Sequence, residues 1–418
     1  MTTPFSWADQ YTALIGRLPE LIAEARLTFG GFSVCTDVYL SLHETFDRLD
    51  AAAGDAGPAR KVMNELRRRA LGGIGGELAV EWAEGPAWID AHCNGRHAVG
   101  GTNLQAAHML AMLGAPAMSA LEDRSAGQLG VIHPDVLVAT DAGPKPRASI
   151  TPSGSGRPPH YVFEYTAGER IGGAVVPRSS RTILRLDHSE LQHDDQFDRL
   201  SVELAPDAGS AIICGFNEAP PDKMSAEIDY TLRLARAWHA AGLSLVHFEL
   251  GDYASTAERD LTVESMLPEV TSAGMSLSEL RGLDPGAATP DLAAIRLAER
   301  FDLNRVCIHA DEWALAATRD DPARELEALE VGCLLASTRA AAGDFAVPAR
   351  LPDNARFSTP PLPLSRRQGN WSIVCCPAPY LERPKATIGL GDTFLAGTLL
   401  VLGGAPSARP RPIPQMET

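Results

Sequence analysis

The sequence predicts an α/β fold in which a mostly parallel sheet carries helices on both faces. A smaller second domain is expected beside it. Three observations carry this. From residue 210 onward, short apolar β-rich runs alternate with helix-period segments, the pattern of strands joined by crossover helices. The chain has 418 residues, long for a single core. Residues 387–403 read as a tight glycine turn opening an apolar helix, the usual edge of an α/β ligand site.

The elements follow in order. Residues 8–27 have amphipathic helical spacing, and 27–40 form a β-rich run with Asp37 near its end. Residues 51–59 are small and flexible, a loop, and 60–71 a basic helix. Gly100-Gly101 is a turn feeding a helix that ends at Gly114, with Thr102, Asn103 and Gln105 at its mouth. The stretch 142–159 is rich in Pro, Gly and Ser, a loop. Residues 160–165 alternate as a strand, and 174–185 as a second strand of a hairpin carrying Arg178 and Arg181 opposite Glu164. Strands are then expected at 210–216, 243–250, 305–309 and 372–376. Helices are expected at 222–241, 257–267, 291–301 and 321–342.

Composition narrows the function. Hydrophobic residues make up 45% and charged residues 22%, an ordinary globular balance. No apolar run approaches the roughly 20 residues of a membrane span. The N-terminus lacks the basic and apolar regions of a secretion signal, which points to the cytoplasm. A net charge of −16 argues against a general nucleic-acid binder. The seven cysteines form no CxxC pair and read as buried free thiols in a reducing compartment. Oligomeric state is not legible.

Four polar residues fall at the C-terminal ends of expected strands or at the glycine turn: His247, Glu249, His309 and Asp392. In an open α/β sheet, ligands gather at that edge. The N–H groups of a glycine turn at a helix start bind anions, phosphoryl groups above all. Asp392, two residues into that turn, is placed to take a proton from an attacking hydroxyl. Gly-x-Gly-Asp also occurs as a plain helix cap. His193-Asp194-Asp195 has metal-phosphohydrolase residue types but lies in a polar stretch without a partner.

Six stretches, in order, resemble one family. They are the Gly100-Gly101 turn; His160–Tyr165 with Pro177-Arg178-Ser179-Ser180-Arg181; Val246-His247-Phe248-Glu249; and Ser272 through Leu280. The last two are Val306–His309 with the long helix ending at Asp344, and Pro377 through Phe394. The chain resembles the ADP-dependent sugar kinases, glucokinases and phosphofructokinases of the ribokinase superfamily. That resemblance implies a ribokinase-like sheet formed from about residues 1–35, 99–144 and 186–418. A discontinuous α/β lid would come from 36–98 and 145–185.

The resemblance also implies roles. Asp392 is expected as the base, and the N–H groups of Gly389, Leu390 and Gly391 as the anion hole. Glu249 and Glu279 would organise Mg²⁺. His309, Pro377, Thr387 and Ile388 would line the nucleotide pocket. Asp37, Gly100, Gly101, Thr102, Asn103, Glu164, Arg178 and Arg181 would face the sugar. The expected reaction is transfer from ADP to a hydroxyl of a hexose or hexose phosphate, giving AMP, with a place in glycolysis. A different sugar or nucleoside-like acceptor with ADP or ATP is the second expectation, and a kinase fold that binds without turnover the third. Glu164 tilts the acceptor toward an unphosphorylated sugar. The sequence departs from the family's Asn at Ser276, at Cys35 and at Ser180, and from its Thr at Ala310.

Overall fold

Successive side chains of the central strands diverge to two separate cores, and this alternation sets the architecture. Ala211 and Ile213 enter one core and Ile212 the other; Val306 and Ile308 oppose Cys307 in the same way. Period-2 alternation with both sides apolar requires cover on both faces. In the computed structural model, which describes residues 5–186, 191–253 and 255–405, helices supply it. Asp195–Leu204, Met224–Ala240, Thr256–Met266 and Pro290–Phe301 pack on one face. Trp7–Ala23, Thr102–Leu113, Pro322–Ala342 and Leu390–Leu402 pack on the other. Met1–Pro4, at the head of the N-terminus read for a secretion signal, and 406–418, assigned to the large domain, lie outside the described residues.

The large sheet has eleven strands. Its order is Ser365–Gln368, Trp371–Pro377, Trp313–Thr318, Arg305–His309, Ser272–Ser276, Val246–Glu249, Ser210–Ile213, Thr28–Gly31, Ala117–Ser119, Leu137–Val138 and Lys145–Pro146. Pairing is parallel from Arg305–His309 through Leu137–Val138 and antiparallel toward both edges. The sheet is thus mostly parallel, as expected. Among the described residues no helix is long and apolar enough to cross a membrane.

A second, five-stranded sheet runs Gly76–Ala79, Ser180–Arg185, His160–Tyr165, Cys35–Ser41 and Arg96–Gly100. It has its own core of Val38, Leu40, Phe46, Leu66, Tyr161, Phe163 and Leu184.

Several expected elements divide differently. The 27–40 run is two strands, one in each sheet, broken at Phe32, whose φ is 87°. The 174–185 strand is broken at Pro177, which has no N–H to donate; only Ser180–Arg185 pairs with His160–Tyr165. Lys145–Pro146 pairs in the large sheet, so strands of the small sheet resume only at His160. Thr387 and Ile388 are not strand but an irregular approach to the last helix.

Candidate active site

The C-terminal ends of three adjacent parallel strands bring the polar groups together. Glu249 ends one strand, Ser276 the next and His309 the third, with Glu249 opposite Gly274 and Ser276 opposite His309. Glu249 receives His247 Nε2 on one oxygen at 2.9 Å and His309 Nε2 on the other at 3.3 Å. Burial alone would raise the Glu249 carboxyl, but these two hydrogen bonds outweigh it and hold it near about 2. His309 is pushed down by burial and up, net, by Glu249. Beneath lies a relay. Arg305, in a buried pair with Glu325 at 2.8 Å, donates to Ser272 Oγ at 3.3 Å. The Ser272 hydroxyl is then free to donate to His247 Nδ1 at 2.8 Å, which leaves His247 Nε2–H for Glu249.

Ser276 caps the Leu277–Leu283 helix in a reciprocal box: its Oγ accepts from Glu279 N–H, and Glu279 Oε2 accepts from Ser276 N–H at 2.7 Å. Serine caps a helix about as well as asparagine, so this departure from the family residue keeps the local structure. Burial raises the Glu279 carboxyl, and the nearby Glu249 charge adds to that.

The glycine turn opens the Leu390–Leu402 helix. Gly389 has φ 68°, left-handed backbone that favours glycine. The first intrahelical bond runs from Thr393 N–H to Gly389 C=O at 3.0 Å. The N–H groups of Leu390 and Gly391 therefore have no partner within the helix. Arg339, buried on the Pro322–Ala342 helix, clamps the turn, donating to Gly389 C=O at 2.8 Å and Thr393 Oγ1 at 2.9 Å. Its guanidinium stacks on Phe345 at 3.8 Å. Asp392 is half-buried. Burial raises its carboxyl, while the Arg339 charge and the Thr102 side chain pull it back. The His309 ring lies against Gly391, so His309 joins Glu249 to the anion turn.

The small sheet faces this centre. Asp37 is 5% exposed, and burial pushes its carboxyl up to about 8. Tyr39, Arg96 and Glu164 from the small sheet meet Arg339, Asp344 and Ile388 from the large domain around one cleft. Burial raises Glu164, against the charges of Arg96 and Arg181.

Of the residues expected at a site, Asp392, Gly389, Leu390, Gly391, Glu249, Glu279 and His309 come together, with Thr102 beside Asp392. Asp37, Gly100 and Glu164 lie on the opposing sheet, and Gly101 links it to the Thr102 helix. Asn103, the second residue of the Thr102–Leu113 helix, is fully buried against Gly30, and its side-chain oxygen and nitrogen have no hydrogen-bond partner among the described residues. Pro377 is buried too, with its carbonyl bonded to Tyr11 at 2.7 Å. Arg178 is exposed beside Gly73, on the segment after Pro177 that does not pair. Asp194 caps the Asp195–Leu204 helix, a structural task for the His193-Asp194-Asp195 run. Arg339 and Arg185 carried no sequence signal. Arg185 is buried beside Glu77 at 3.1 Å and donates to Asn217 C=O at 3.2 Å.

Known proteins resemble this chain in sequence and in fold. The ADP-specific phosphofructokinase/glucokinase conserved region matches residues 31–401. The ADP-specific phosphofructokinase of Pyrococcus furiosus is 25% identical over 312 residues, 65% of this chain and 68% of that protein. The enzyme of the same description from Pyrococcus abyssi is 24% identical over 282 residues, 57% of this chain and 62% of that protein. Among solved structures, an ADP-dependent kinase complex with fructose-6-phosphate and ADPβS superposes with a TM-score of 0.76 at 16% identity, covering 96% of this chain and 99% of that one. The last common ancestor of ADP-dependent phosphofructokinases from Methanosarcinales gives 0.73 at 14% identity, covering 95% and 98%. The structural likeness establishes the fold, and the match over residues 31–401 means that this chain belongs to the ADP-specific phosphofructokinase/glucokinase family.

Proposed function

We propose that this chain transfers a phosphoryl group from ADP to a hydroxyl of a hexose phosphate, with AMP as the second product. The observation that carries it is Asp392 beside a glycine turn with free N–H groups, held in place by Arg339 through the Gly389 carbonyl and Thr393 Oγ1. In this reading the acceptor hydroxyl oxygen attacks the terminal phosphorus of ADP, the bond to the bridging oxygen breaks, and AMP leaves. The hydroxyl proton passes to Asp392, whose burial makes it a stronger base than a free carboxylate. Leu390 and Gly391 N–H groups hold the moving group, since such transfer is mostly positioning and charge neutralisation. Arg339 acts through the turn that it holds.

Glu249 and Glu279 fit Mg²⁺: they are hard oxygen donors, and the Glu249 charge raises the buried Glu279 carboxyl, so the two lie close enough to share a cation. When bound there, Mg²⁺ would offset phosphate charge. His247 and His309 keep Glu249 ionised and oriented. The small sheet acts as the lid, with Asp37, Gly100 and Glu164 toward the sugar; Thr387 and Ile388 flank the turn on the nucleotide side.

A phosphorylated acceptor is preferred over the free sugar that Glu164 suggested. Arg96 and Arg181 offset Glu164, Arg185 lies near His160, and the curated relatives carry the phosphofructokinase description. The seven free cysteines fit a glycolytic role in the reducing cytoplasm. The test is AMP formation with Mg²⁺, using ADP or ATP against fructose 6-phosphate or glucose. AMP from ADP and fructose 6-phosphate is expected. Turnover only with ATP, or a preference for glucose, would reject the reading.

A further inference from the structure

Cys35, Asp37 and His160 form a cluster that the phosphoryl-transfer chemistry does not explain. Cys35 and Asp37 alternate onto one face of the Cys35–Ser41 strand, and His160 is the direct partner of Asp37 on the parallel neighbour. Cys35 Sγ lies 3.4 Å from His160 Nδ1 and 3.6 Å from Asp37 Oδ1. One ligand atom from each residue falls within 4.8 Å of the others. Zinc bonds of about 2.3 Å to sulfur and about 2.0–2.1 Å to nitrogen and oxygen, set tetrahedrally, place ligand atoms roughly 3.3–3.6 Å apart. The two measured edges match that spacing. Gly100 sits opposite Cys35 on the next strand, and a Cβ there would collide with Asp37 Oδ1 and Cys35 Sγ. The bare glycine makes the space in which these two side chains converge.

We propose that Cys35, Asp37 and His160 bind a zinc-class divalent cation, leaving a fourth position for water. A thiolate and an imidazole select such a cation over Mg²⁺, which prefers oxygen donors only. Binding releases two protons to solvent, the Cys35 thiol proton as the S–metal bond forms and the proton that burial keeps on the Asp37 carboxyl as its O–metal bond forms. His160 is held neutral by burial, the form that ligates. The surrounding charges are mixed: Glu218 acts on all three groups, Arg339 on Asp37 and Arg185 on His160. Because Asp37 also faces the acceptor in the proposed function, the cation and the sugar phosphate exclude each other; this clause rests on that reading.

Co²⁺ reports the site directly, since a thiolate ligand gives a charge-transfer band. Metal-free full-length protein is titrated with Co²⁺ in excess Mg²⁺, which occupies the carboxylates Glu249 and Glu279. One equivalent of thiolate-bound cobalt is expected, displaced by Zn²⁺. The band should disappear in Cys35→Asn, weaken in His160→Gln and persist in Glu249→Gln, with the fold of each variant checked by its thermal transition. No band in the wild type, or an unchanged band in a folded Cys35→Asn, overturns the proposal. The readout needs no turnover, so it stands or falls separately from the kinase reading. Fructose 6-phosphate should bleach the band; a band indifferent to it would remove the exclusion claim.

Discussion

Asp392 and Arg339 divide the work at one turn, and substitutions separate them. If Asp392 is the base proposed above, Asp392→Asn keeps the backbone N–H groups of the turn but removes that base, so turnover should fall about 10²–10⁴-fold while ADP affinity persists. Calorimetric ADP binding beside AMP production checks this; near-normal turnover would end the claim. Arg339 touches Gly389 C=O and Thr393 Oγ1 with one nitrogen and stacks its flat face on Phe345. Lysine keeps the charge but not the fork or the stacking. Arg339→Lys should therefore lower kcat more than it raises the KM for ADP. Equal loss in both would point to ground-state binding instead.

At the scale of elements, caps and strand ends carry the site. Ser276→Ala removes the hydroxyl half of the capping box and should cost about 1 kcal/mol in denaturant unfolding, whereas Ser276→Asn should cost little. Equal losses in the two variants would mean that the cap is not what Ser276 supplies. The Thr102–Leu113 helix carries a pH-sensitive contact. His108 Nδ1 accepts the His133 N–H at 3.1 Å, so a proton there breaks the bond. Burial, then His133, lowers the His108 imidazole to about 4. The unfolded chain binds the proton more readily, so this contribution is complete above about pH 6.5 and is lost as pH falls toward 4. His108→Asn should flatten the acid limb of the unfolding free energy between those values, by up to about 3 kcal/mol at the extreme. An unchanged limb in the variant would assign the acid sensitivity to other groups. Local signals explain what was legible here. Glu249, Glu279, His309 and Asp392 each sit at a strand end or helix start that its neighbours in sequence define. Arg339 is one residue of a long, mostly buried helix, and only the packing of that helix against Leu390–Leu402 reveals it. The meeting of Cys35 with His160 depends on register between strands more than a hundred residues apart. The full burial of Asn103 was not legible because a position in a first helical turn does not say which way the side chain points.

Among the described residues two large sheets and a two-stranded ribbon carry the fold, and the chain passes between the large sheets at Phe32–Val34, at Gly100–Thr102, between Pro146 and His160, and between Arg185 and Ser210. The alternation after residue 210 was enough to read the large sheet, since crossover helices make neighbours in sequence neighbours in space. The small sheet was less legible because its strands come from two distant segments. Polar links join the small sheet to the elements of the large one, and some of them are exposed. Asn217 donates to Glu77 at 3.0 Å, and Arg96 pairs with Asp344 at 3.1 Å with the two side chains 51% and 55% exposed. An exposed pair contributes at most about 1 kcal/mol, so in the proposed function, where the small sheet is the lid, this link would bias closure without locking it. Arg96 also covers Tyr39 and lines the cleft beside Glu164, so a single substitution mixes several losses. A double-mutant cycle isolates the pair. Arg96→Ala and Asp344→Ala should each raise the KM for the acceptor, and the double variant should fall short of the product by up to about fivefold, the equivalent of about 1 kcal/mol. That shortfall should shrink at high salt, because exposed charges are screened. Strictly multiplicative effects on KM at low salt would show that Arg96 and Asp344 do not hold the lid together.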